Sequence, residues 1–290
     1  MATAAATGRQ AGLEVRETAD RGLLRAFLER DRLFAAYAIC DLDEREFGKT
    51  RWGIALSGGE PIAVALEYTG PTPQPLFVLG RTEGIMAILR GVIRPRIAYC
   101  AVLPESLPAI SPLYRVEPGP AMVRMVVDSQ RFRPFPGDVE RLTALDSGSL
   151  NRLYQVGFAS WLPAAAVANG VYYGIRVGGK LVAAAGTHVI SPSARLGVVG
   201  NVLTHADHRG RGYATAVTGA VTAELLRGCD QVVLNVRSDN PPALAAYRRL
   251  GFIEHVRFEE RLIHRIGPPW AGIVAPIRRI LPHRKETSPQ

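Results

Sequence analysis

The sequence predicts an α+β protein with two mixed-sheet domains in tandem, the first a degenerate copy of the second. The 290 residues are enough for two modest domains. One order of elements (helix, two hairpin strands, strand, helix, strand, helix, strands) is clear after residue 137 and weaker before residue 130. A polar, proline-containing stretch at 128–137 separates the copies. We therefore place the domains at 1–130 and 137–265, followed by a basic tail at 266–290.

Apolar periodicity predicts the elements of the first domain. A helical pattern begins near Thr18 and runs through Leu23, Phe27 and Leu33. A glycine-rich turn at 57–60 joins two strand patterns into a hairpin. The predicted strands are 51–56, 61–68, 75–79, 97–102 and 121–127, and a helix at 82–90 ends at Gly91.

The second domain has stronger signals. Leucines at helical spacing predict a helix over 138–156, and a short helix is predicted at 161–168. The pair Gly178–Gly179 joins two strand patterns into a second hairpin. The predicted strands are 172–177, 181–190, 195–204, 231–236, 252–256 and 258–263, with helices at 211–227 and 242–250.

Composition and charge exclude several classes of function. Lys and Arg exceed Asp and Glu by 35 − 26 = 9, but the basic residues are spread out and not interleaved with aromatics, so we expect no nucleic-acid partner. We also expect no membrane span, since no apolar run approaches ~18 residues. The three cysteines are far apart and form no C-x-x-C pair, which argues against zinc and disulfides. Their sparse, odd number is typical of a reducing compartment, and we expect a cytoplasmic protein.

The stretch 198–226 carries the clearest chemistry. A β-branched strand enters a glycine-rich turn that opens a long helix. Gly210 and Gly212 allow backbone angles that are closed to other residues and a close approach to a ligand. Backbone amides, the helix dipole and the charges of Arg209 and Arg211 then favour an anion. The turn suits a pyrophosphate or the 3′-phosphate of a nucleotide.

Two motifs here resemble the GNAT superfamily of acyl-CoA-dependent N-acetyltransferases. Arg209, Gly212 and Ala214 match its R/Q-x-x-G-x-G/A signature, and 239–252 is similar to its N-x-x-A-x-x-x-Y-x-x-x-G-F block. The resemblance covers about 137–265 and implies that acetyl-CoA is the cofactor. By it, the cofactor-binding residues are Val202, Leu203, Thr204, Arg209, Gly210, Arg211, Gly212, Tyr213, Ala214, Thr215, Asn240, Ala243 and Tyr247.

The first domain lacks a complete copy of these motifs. Arg81 and Gly84 stand between a strand and a helix, but Met86 occupies the position of the family's glycine or alanine, and no second block follows. A helix N-cap by Thr82 explains the stretch equally well. The layout resembles tandem-domain GNAT proteins, of which the glycine N-acyltransferase-like branch is one possible relative. We expect the first domain to be a non-catalytic partner that covers the acceptor side.

The transfer of an acetyl group to an amine needs a proton acceptor and a proton donor. The family often carries a glutamate on the signature strand, whereas this chain offers Asn201, which can orient but not accept a proton. The resemblance makes Tyr247 the residue that protonates the departing thiolate. We predict Tyr247, Asn201 and His188 as the catalytic residues, His188 being a base or relay if it is not simply structural.

Other groups remain candidates for the proton acceptor. His205 and His208 lie in the phosphate turn with Asp207 and are expected to shape it. Glu259 and Glu260 lie between Arg257 and Arg261, which favours a solvated ladder of ion pairs. Water is a further candidate. Trp161 is a candidate for the acceptor pocket or for the core, and Cys229 is expected to pack.

The sequence predicts an acetyl-CoA-dependent N-acetyltransferase in which a primary amine attacks directly in a ternary complex. The acceptor would be a small molecule or a peptide, and the protein a monomer or homodimer. The alternative is a non-catalytic acyl-CoA-binding or sensing module, which the absence of an acid at Asn201 favours and Tyr247 disfavours. A nucleic-acid-binding protein is a third hypothesis that rests only on the net charge. The apolar and basic tail 270–290 could be an amphipathic surface helix or dock on its own domain.

Overall fold

A computed structural model of the chain describes residues 8–10, 12–70, 72–155 and 162–267. We call the part up to residue 130 the first half and the part from residue 137 the second half. The strands of the first half are β1 (Gly8–Gln10), β2 (Leu13–Glu17), β3 (Thr50–Ser57), β4 (Glu60–Tyr68), β5 (Gln74–Gly80), β6 (Ile97–Val102), β7 (Tyr114–Val116) and β8 (Ala121–Asp128). Its helices are α1 (Arg21–Leu28), α2 (Ala36–Cys40), α3 (Glu44–Phe47), α4 (Thr82–Gly91) and α5 (Leu107–Ile110).

The second half repeats the same order. Its strands are β9 (Glu140–Arg141), β10 (Tyr172–Val177), β11 (Lys180–Ser191), β12 (Leu196–Thr204), β13 (Gln231–Arg237) and β14 (Ile253–Arg265). Its helices are α6 (Ser147–Tyr154), α7 (Ala164–Asn169), α8 (Tyr213–Leu225) and α9 (Pro241–Arg249).

Each half contributes antiparallel strands that end in one parallel pair. In the first half β2, β3, β4 and β5 are antiparallel neighbours, and β5 then pairs in parallel with β6. In the second half β9 to β12 are antiparallel and β12 pairs in parallel with β13. A parallel pair needs a crossover, and α4 and α8 provide it in the two halves. The predicted mixed-sheet architecture, present twice, is therefore confirmed.

The two halves exchange their last strands. β8, from the first half, pairs along its length with β13 of the second half. β14, from the second half, pairs with β8 through Ile253–Glu259 and with β6 through Glu259–His264. The exchange joins the described strands into one sheet in the order β1-β2-β3-β4-β5-β6-β14-β8-β13-β12-β11-β10-β9, with β7 beside β14. The division of the chain at the linker stays a proposal, since three strand pairings of the sheet (β6 with β14, β14 with β8 and β8 with β13) join the two halves.

The halves also share a hydrophobic core. The apolar face of α1 and α2 includes Leu24, Phe27 and Ile39, which belong to one buried cluster with Leu196 and Val233 of the second half. The side chain of Asp20 accepts a hydrogen bond from the Leu23 amide at 2.9 Å and so caps α1 at its N-terminus. Separate clusters lie under α4 in the first half and under α8 and α9 in the second.

Several predicted elements have different bounds. The helix predicted over 138–156 begins only at Ser147, because β9 and a capped turn at Thr143 come first. The two strands predicted after Gly251 are one strand, β14. Thr82 is not an N-cap: Arg81 holds that position, without a side-chain hydrogen bond, and α4 starts at Thr82.

Candidate active site

The parallel pair of the second half opens at its C-terminal end. β12 pairs with β13 from Leu196↔Gln231 to Val199↔Leu234, and no pair follows. β12 is buried up to Val199 and partly exposed from Gly200 to Thr204, while its other edge stays paired to β11. The backbone of 200–204 therefore lines a wedge-shaped opening between the two strands. Free strand edges of this kind bind extended ligands through main-chain hydrogen bonds.

Asn201 forms a bulge where the strands separate. Its φ of 52° lies in the left-handed region, which asparagine tolerates better than most residues. The Tyr154 hydroxyl donates to the Asn201 carbonyl oxygen at 2.7 Å. The Asn201 side-chain amide donates to the Tyr172 hydroxyl at 3.1 Å, and that hydroxyl donates to the Thr187 carbonyl oxygen at 3.0 Å. These bonds hold the bulge in place, and the catalytic role of Asn201 stays a prediction.

The glycine-rich loop connects this opening to α8. Gly210 and Gly212 have φ values of 76° and 78°, so both positions favour glycine. Gly212 is the N-cap of α8, and no side chain caps the helix. The first amide groups of the 13-residue helix thus lack intrahelical acceptors, and the helix dipole makes them suitable for an anion. Arg209 lies beside them, its Nε donating to the Thr204 carbonyl oxygen at 3.3 Å.

Two polar atoms beside the loop have no hydrogen-bond partner among the described residues. They are Oγ1 of Thr204, at the end of β12, and Nδ1 of His208, both buried. The His208 ring stacks on Tyr213, with 6.5 Å between the ring centroids. Buried polar groups are normally satisfied, so these atoms point to a missing polar ligand. Together with the free edge of β12 and the uncapped helix, they fit an extended, phosphate-bearing ligand.

Tyr247 comes from α9, next to the opening. The Asn240 side chain caps this helix by accepting a hydrogen bond from the Ala243 amide at 3.3 Å. One turn further on, Tyr247 packs in the same cluster as Val199 and Leu234, the last paired residues before the strands separate. It is 6% exposed, and burial raises the pKa of its hydroxyl to about 12. No described residue forms a hydrogen bond with that hydroxyl group.

His188 lies against the bulge from the neighbouring strand β11. A Cβ atom added to Gly200 would come within 1.6 Å of His188 Cδ2, so the ring covers the Gly200 backbone. The His188 side chain is exposed to a cavity on one side, and protein encloses it on the other sides. That surrounding protein lowers the pKa of His188, because burial disfavours the charged form. The histidine is thus neutral near pH 7 and able to accept a proton.

A cavity of about 520 Å³, here the central cavity, lies between the two halves. The second half lines this cavity with residues that include His188, Val189 and Asn235. Asn235 is the first residue of β13 beyond the last pair with β12, so the cavity adjoins the wedge-shaped opening. The first half supplies most of the remaining wall: Phe34, Tyr37, Ala38, Asp41, Glu46, Leu66, Tyr68, Pro75, Leu76, Phe77, Tyr99, Ala101 and Arg124.

Glu260 belongs to this cavity, which corrects the prediction for the acidic pair on β14. It lines the cavity near Arg124 and Tyr99, and burial raises the pKa of its carboxyl group. Glu259 does form the expected ion pair, with Arg261 at 2.7 Å. The two residues differ because neighbouring side chains of a strand point to opposite faces, and only one face meets the cavity.

Arg124 is a residue that sequence analysis missed. It is 2% exposed on β8, and its guanidinium donates to the carbonyl oxygens of Leu33 and Phe34 and, at 2.9 Å, to Asn235 Oδ1. The rings of Phe34, Tyr37 and Phe258 surround the guanidinium group within 6 Å. The available signal was a lone charge within the apolar strand 121–127.

Asp41 was missed as well. It lines the cavity just after α2, between the buried residues Cys40 and Leu42. Burial raises the pKa of its carboxyl group to about 7; the charge of Glu46 adds to the effect and that of Lys49 opposes it. A carboxylate directly after the apolar run 34–40 was the sequence signal.

Of the other predicted residues, some lie within the part of the chain that the structure describes and some lie outside it. His205 shapes the loop, since its Nδ1 accepts the Asp207 amide hydrogen at 3.4 Å. Cys229 is buried in the core of the second half. Trp161 and the tail from residue 268 lie outside the described residues. Within the described part of the chain, no helix has the length and apolar character needed to cross a membrane.

The corresponding loop of the first half, at Arg81–Gly84, does not form an anion-binding loop of this kind. A Cβ atom on Gly84 would come within 2.7 Å of Ala63 Cβ, so this glycine allows α4 to pack closely on β4. Arg81 pairs with Glu83 at 2.6 Å. By contrast, Gly212 has a positive φ and only the ring of Phe135 within 4 Å of an added Cβ. The first half is thus degenerate at the position where the second carries its loop.

Comparison with known proteins supports this description. Residues 140–252 match the model of the family described as Acetyltransferase (GNAT) family. A GCN5-related N-acetyltransferase from Sphaerobacter thermophilus is 16% identical with a TM-score of 0.62, over 89% of this chain and 98% of that one. A protein from Drosophila is 11% identical with a TM-score of 0.63, over 87% and 98%.

A tandem GNAT protein from the clavulanic acid biosynthesis pathway has a similar fold. It is 14% identical with a TM-score of 0.55, over 88% of this chain and 99% of that one. No curated protein matched the sequence. At these identities the solved structures establish the fold alone, and they confirm the tandem arrangement of two GNAT-like domains.

Proposed function

We propose, on the premise that residues 140–252 belong to the GNAT acetyltransferase family whose model they match, that the protein transfers an acetyl group from acetyl-CoA to a primary amine. The amine attacks directly, with both substrates bound. One observation carries the proposal: the opening between β12 and β13 adjoins a cavity large enough for a small molecule, and His188 lies at their junction. Two substrates could enter from opposite sides and meet at the Asn201 bulge.

The residues that would hold acetyl-CoA follow the course of the opening. The edge of β12 at Val202, Leu203 and Thr204 would bind the extended arm by main-chain hydrogen bonds. The loop from Arg209 to Gly212 and the first turn of α8, Tyr213–Thr215, would bind the pyrophosphate. When bound, the cofactor supplies an acetyl group activated as a thioester. Asn240 and Ala243 would support the cofactor indirectly, by fixing the start of α9.

His188 is the proton acceptor that the geometry supports best. Its pKa is lowered by burial, and its ring lies on Gly200, one residue from the bulge. The side chain of Asn201 cannot accept a proton, and its amide already donates to Tyr172. The amine must be neutral to attack, and a neutral imidazole beside it can take up its proton directly or through water.

Tyr247 is the proposed proton donor to the sulfur. The raised pKa keeps its hydroxyl protonated at neutral pH, and no described residue competes for that hydrogen bond. The central cavity is the proposed acceptor site, in agreement with a first half that covers the acceptor side. The charge and apolar character of its wall suit a small amine.

A screen of acceptors tests the function. The protein would be mixed with acetyl-CoA and single primary amines (aromatic, aliphatic and peptide), and the release of free thiol followed with a colorimetric reagent. Thiol release with one amine, with the acetylated product identified by mass spectrometry, is the expected result. If acetyl-CoA binds but no amine releases thiol above the hydrolysis rate, the alternative of a non-catalytic acyl-CoA-binding module is favoured.

A further inference from the structure

The charged groups of the central cavity are nearly all compensated within the protein. Arg124 is held by two carbonyl oxygens and Asn235. Glu46 accepts hydrogen bonds from the Tyr68 hydroxyl at 2.6 Å and from Lys49 Nζ at 3.0 Å. Glu260 interacts with Arg124 and Tyr99. These groups belong to the protein's own network and leave little charge for a ligand.

Asp41 is the exception. Its side chain receives no hydrogen bond from any described residue, and no described cation lies within 4 Å of it. It lines the same cavity as the apolar side chains of Ala38, Leu66 and Phe77, and protein largely encloses it. An uncompensated carboxylate in such surroundings is costly unless a cation pairs with it. Burial and the charge of Glu46 raise the pKa of Asp41 to about 7, and the charge of Lys49 opposes this shift without cancelling it.

The position of Asp41 separates it from the reacting centre. Tyr37 precedes it by one helical turn on α2, and the Tyr37 ring meets the His188 ring edge-on with 5.9 Å between the centroids. His188 in turn covers Gly200. Two residues after Asp41, Asp43 accepts a hydrogen bond from Ser193, just past the end of β11 that lies away from the bulge. Asp41 therefore lies farther from the bulge than Tyr37. A group bound at Asp41 and an amine at His188 would occupy different parts of the cavity.

We propose that the acceptor is a diamine or related dication with an aromatic or apolar body, one amine taking the acetyl group near His188 and the other charge pairing with Asp41. The proposal rests on the proposed acetyltransferase function. The reacting amine must lose its charge in order to attack, so it cannot be the cation that Asp41 requires. Phe34, Leu66 and Phe77 provide the apolar contact for the body of the ligand. An acceptor with an acidic group facing Asp41 would be rejected by like charge.

Binding of matched probes in the absence of acetyl-CoA tests the inference. The first pair is 4-(aminomethyl)benzylamine and 4-ethylbenzylamine, which differ only by an ammonium group in place of a methyl group. A second pair with a biphenyl body tests a longer distance between the two ends of the probe. Calorimetry would be performed on the whole protein, on Asp41→Asn, and on Glu44→Gln, which removes an exposed carboxylate three residues away.

We expect a diamine of at least one length to bind the unaltered protein at least tenfold more tightly than its monoamine partner. Asp41→Asn should reduce that ratio to below threefold, and Glu44→Gln should leave it unchanged. Equal affinities within both pairs, a ratio that survives Asp41→Asn, or no binding of any probe would each overturn the proposal. Asp41→Asn should also melt no lower than the unaltered protein at pH 8, because an uncompensated carboxylate is removed, so misfolding would be recognised.

The outcome is separable from that of the proposed function. Asp41-dependent binding of a diamine without thiol release on addition of acetyl-CoA would contradict the acetyltransferase and leave the cation site in place. Thiol release that is equally fast with both members of a pair, in the unaltered protein and in Asp41→Asn, would leave the enzyme in place and contradict the cation site.

Discussion

The Tyr247 hydroxyl is the residue-scale feature on which the proposed chemistry depends most. A thiol has a pKa near 8.5, whereas burial raises that of Tyr247 to about 12. Complete proton transfer between groups that differ by about 3.5 in pKa costs ~5 kcal/mol. Tyr247 therefore helps most by donating a strong hydrogen bond to the sulfur as negative charge develops on it, where low polarity strengthens the interaction.

Replacement of Tyr247 by phenylalanine should isolate this hydrogen bond. The ring and its packing are kept, so the affinity for acetyl-CoA should stay nearly intact. The single-turnover rate should fall roughly tenfold to a hundredfold, at or below the usual contribution of one acid–base group. Tyr173→Phe is the matched control. Tyr173 lies on the distant strand β10, and its hydroxyl donates a hydrogen bond to Glu224 at 2.8 Å. A single-turnover rate that stays unchanged in Tyr247→Phe would show that the Tyr247 hydroxyl does not assist the departure of the sulfur.

The strand–loop–helix element from β12 to α8 combines three features that are needed to bind a phosphate-bearing ligand. The free edge of 200–204 offers main-chain groups, the loop brings its backbone close through two glycines with positive φ, and α8 presents uncapped amides. Each feature alone is common in proteins. Their succession within about 16 residues confines the ligand's extended arm and its phosphates to one line.

Gly212→Val should disrupt this element at the loop. Valine is strained at a φ of 78°, and its side chain would meet the ring of Phe135 and the space above the first amides. The Kd for acetyl-CoA measured by calorimetry should rise at least tenfold, about 1.4 kcal/mol. Gly178→Val introduces comparable strain at a φ of 56° in the distant β10–β11 turn, with open space around it, and should leave the Kd unchanged. An equal Kd in a folded Gly212→Val variant would remove the loop from the binding site.

The exchange of β8 and β14 makes the two halves one folding unit at the scale of the whole molecule. β13 of the second half has β8 as its neighbour, and β6 of the first half has β14. Without the other half, each would present an unpaired and largely apolar strand edge, which favours aggregation. The shared core around α1 and α2 adds a second dependence.

Cutting the chain between residues 130 and 131 should expose this dependence. Fragments 1–130 and 131–290 produced separately should fail to give stable monomers. Produced together, they should form a 1:1 complex that binds acetyl-CoA, because both exchanged strands are again available. Size-exclusion chromatography with light scattering, and thermal shift with acetyl-CoA, are the measurements. A monomeric fragment 131–290 that binds acetyl-CoA by itself would contradict the role assigned to β8.

The sequence by itself determined the local features of the protein. The glycine loop and the two helices predicted at 211–227 and 242–250 are local features, and their signals depend only on backbone angles and on spacing along a helix. The repeated order of elements likewise predicted the mixed-sheet fold of both halves. His188 was predicted from its residue type and its place on a strand, and Tyr247 from the resemblance to the GNAT block, and the catalytic roles of both stay predictions.

Only the tertiary structure decided the exchange of strands, the central cavity and its charges. Arg124 bonds to a carbonyl group 91 residues away, and Asp41 and Glu260 reach one cavity from opposite ends of the chain. No periodicity records such pairings, because which strand completes which sheet depends on the packing of whole halves. The environment of Asp41, which turns an ordinary carboxylate into a candidate cation site, exists only after the two halves have closed around it.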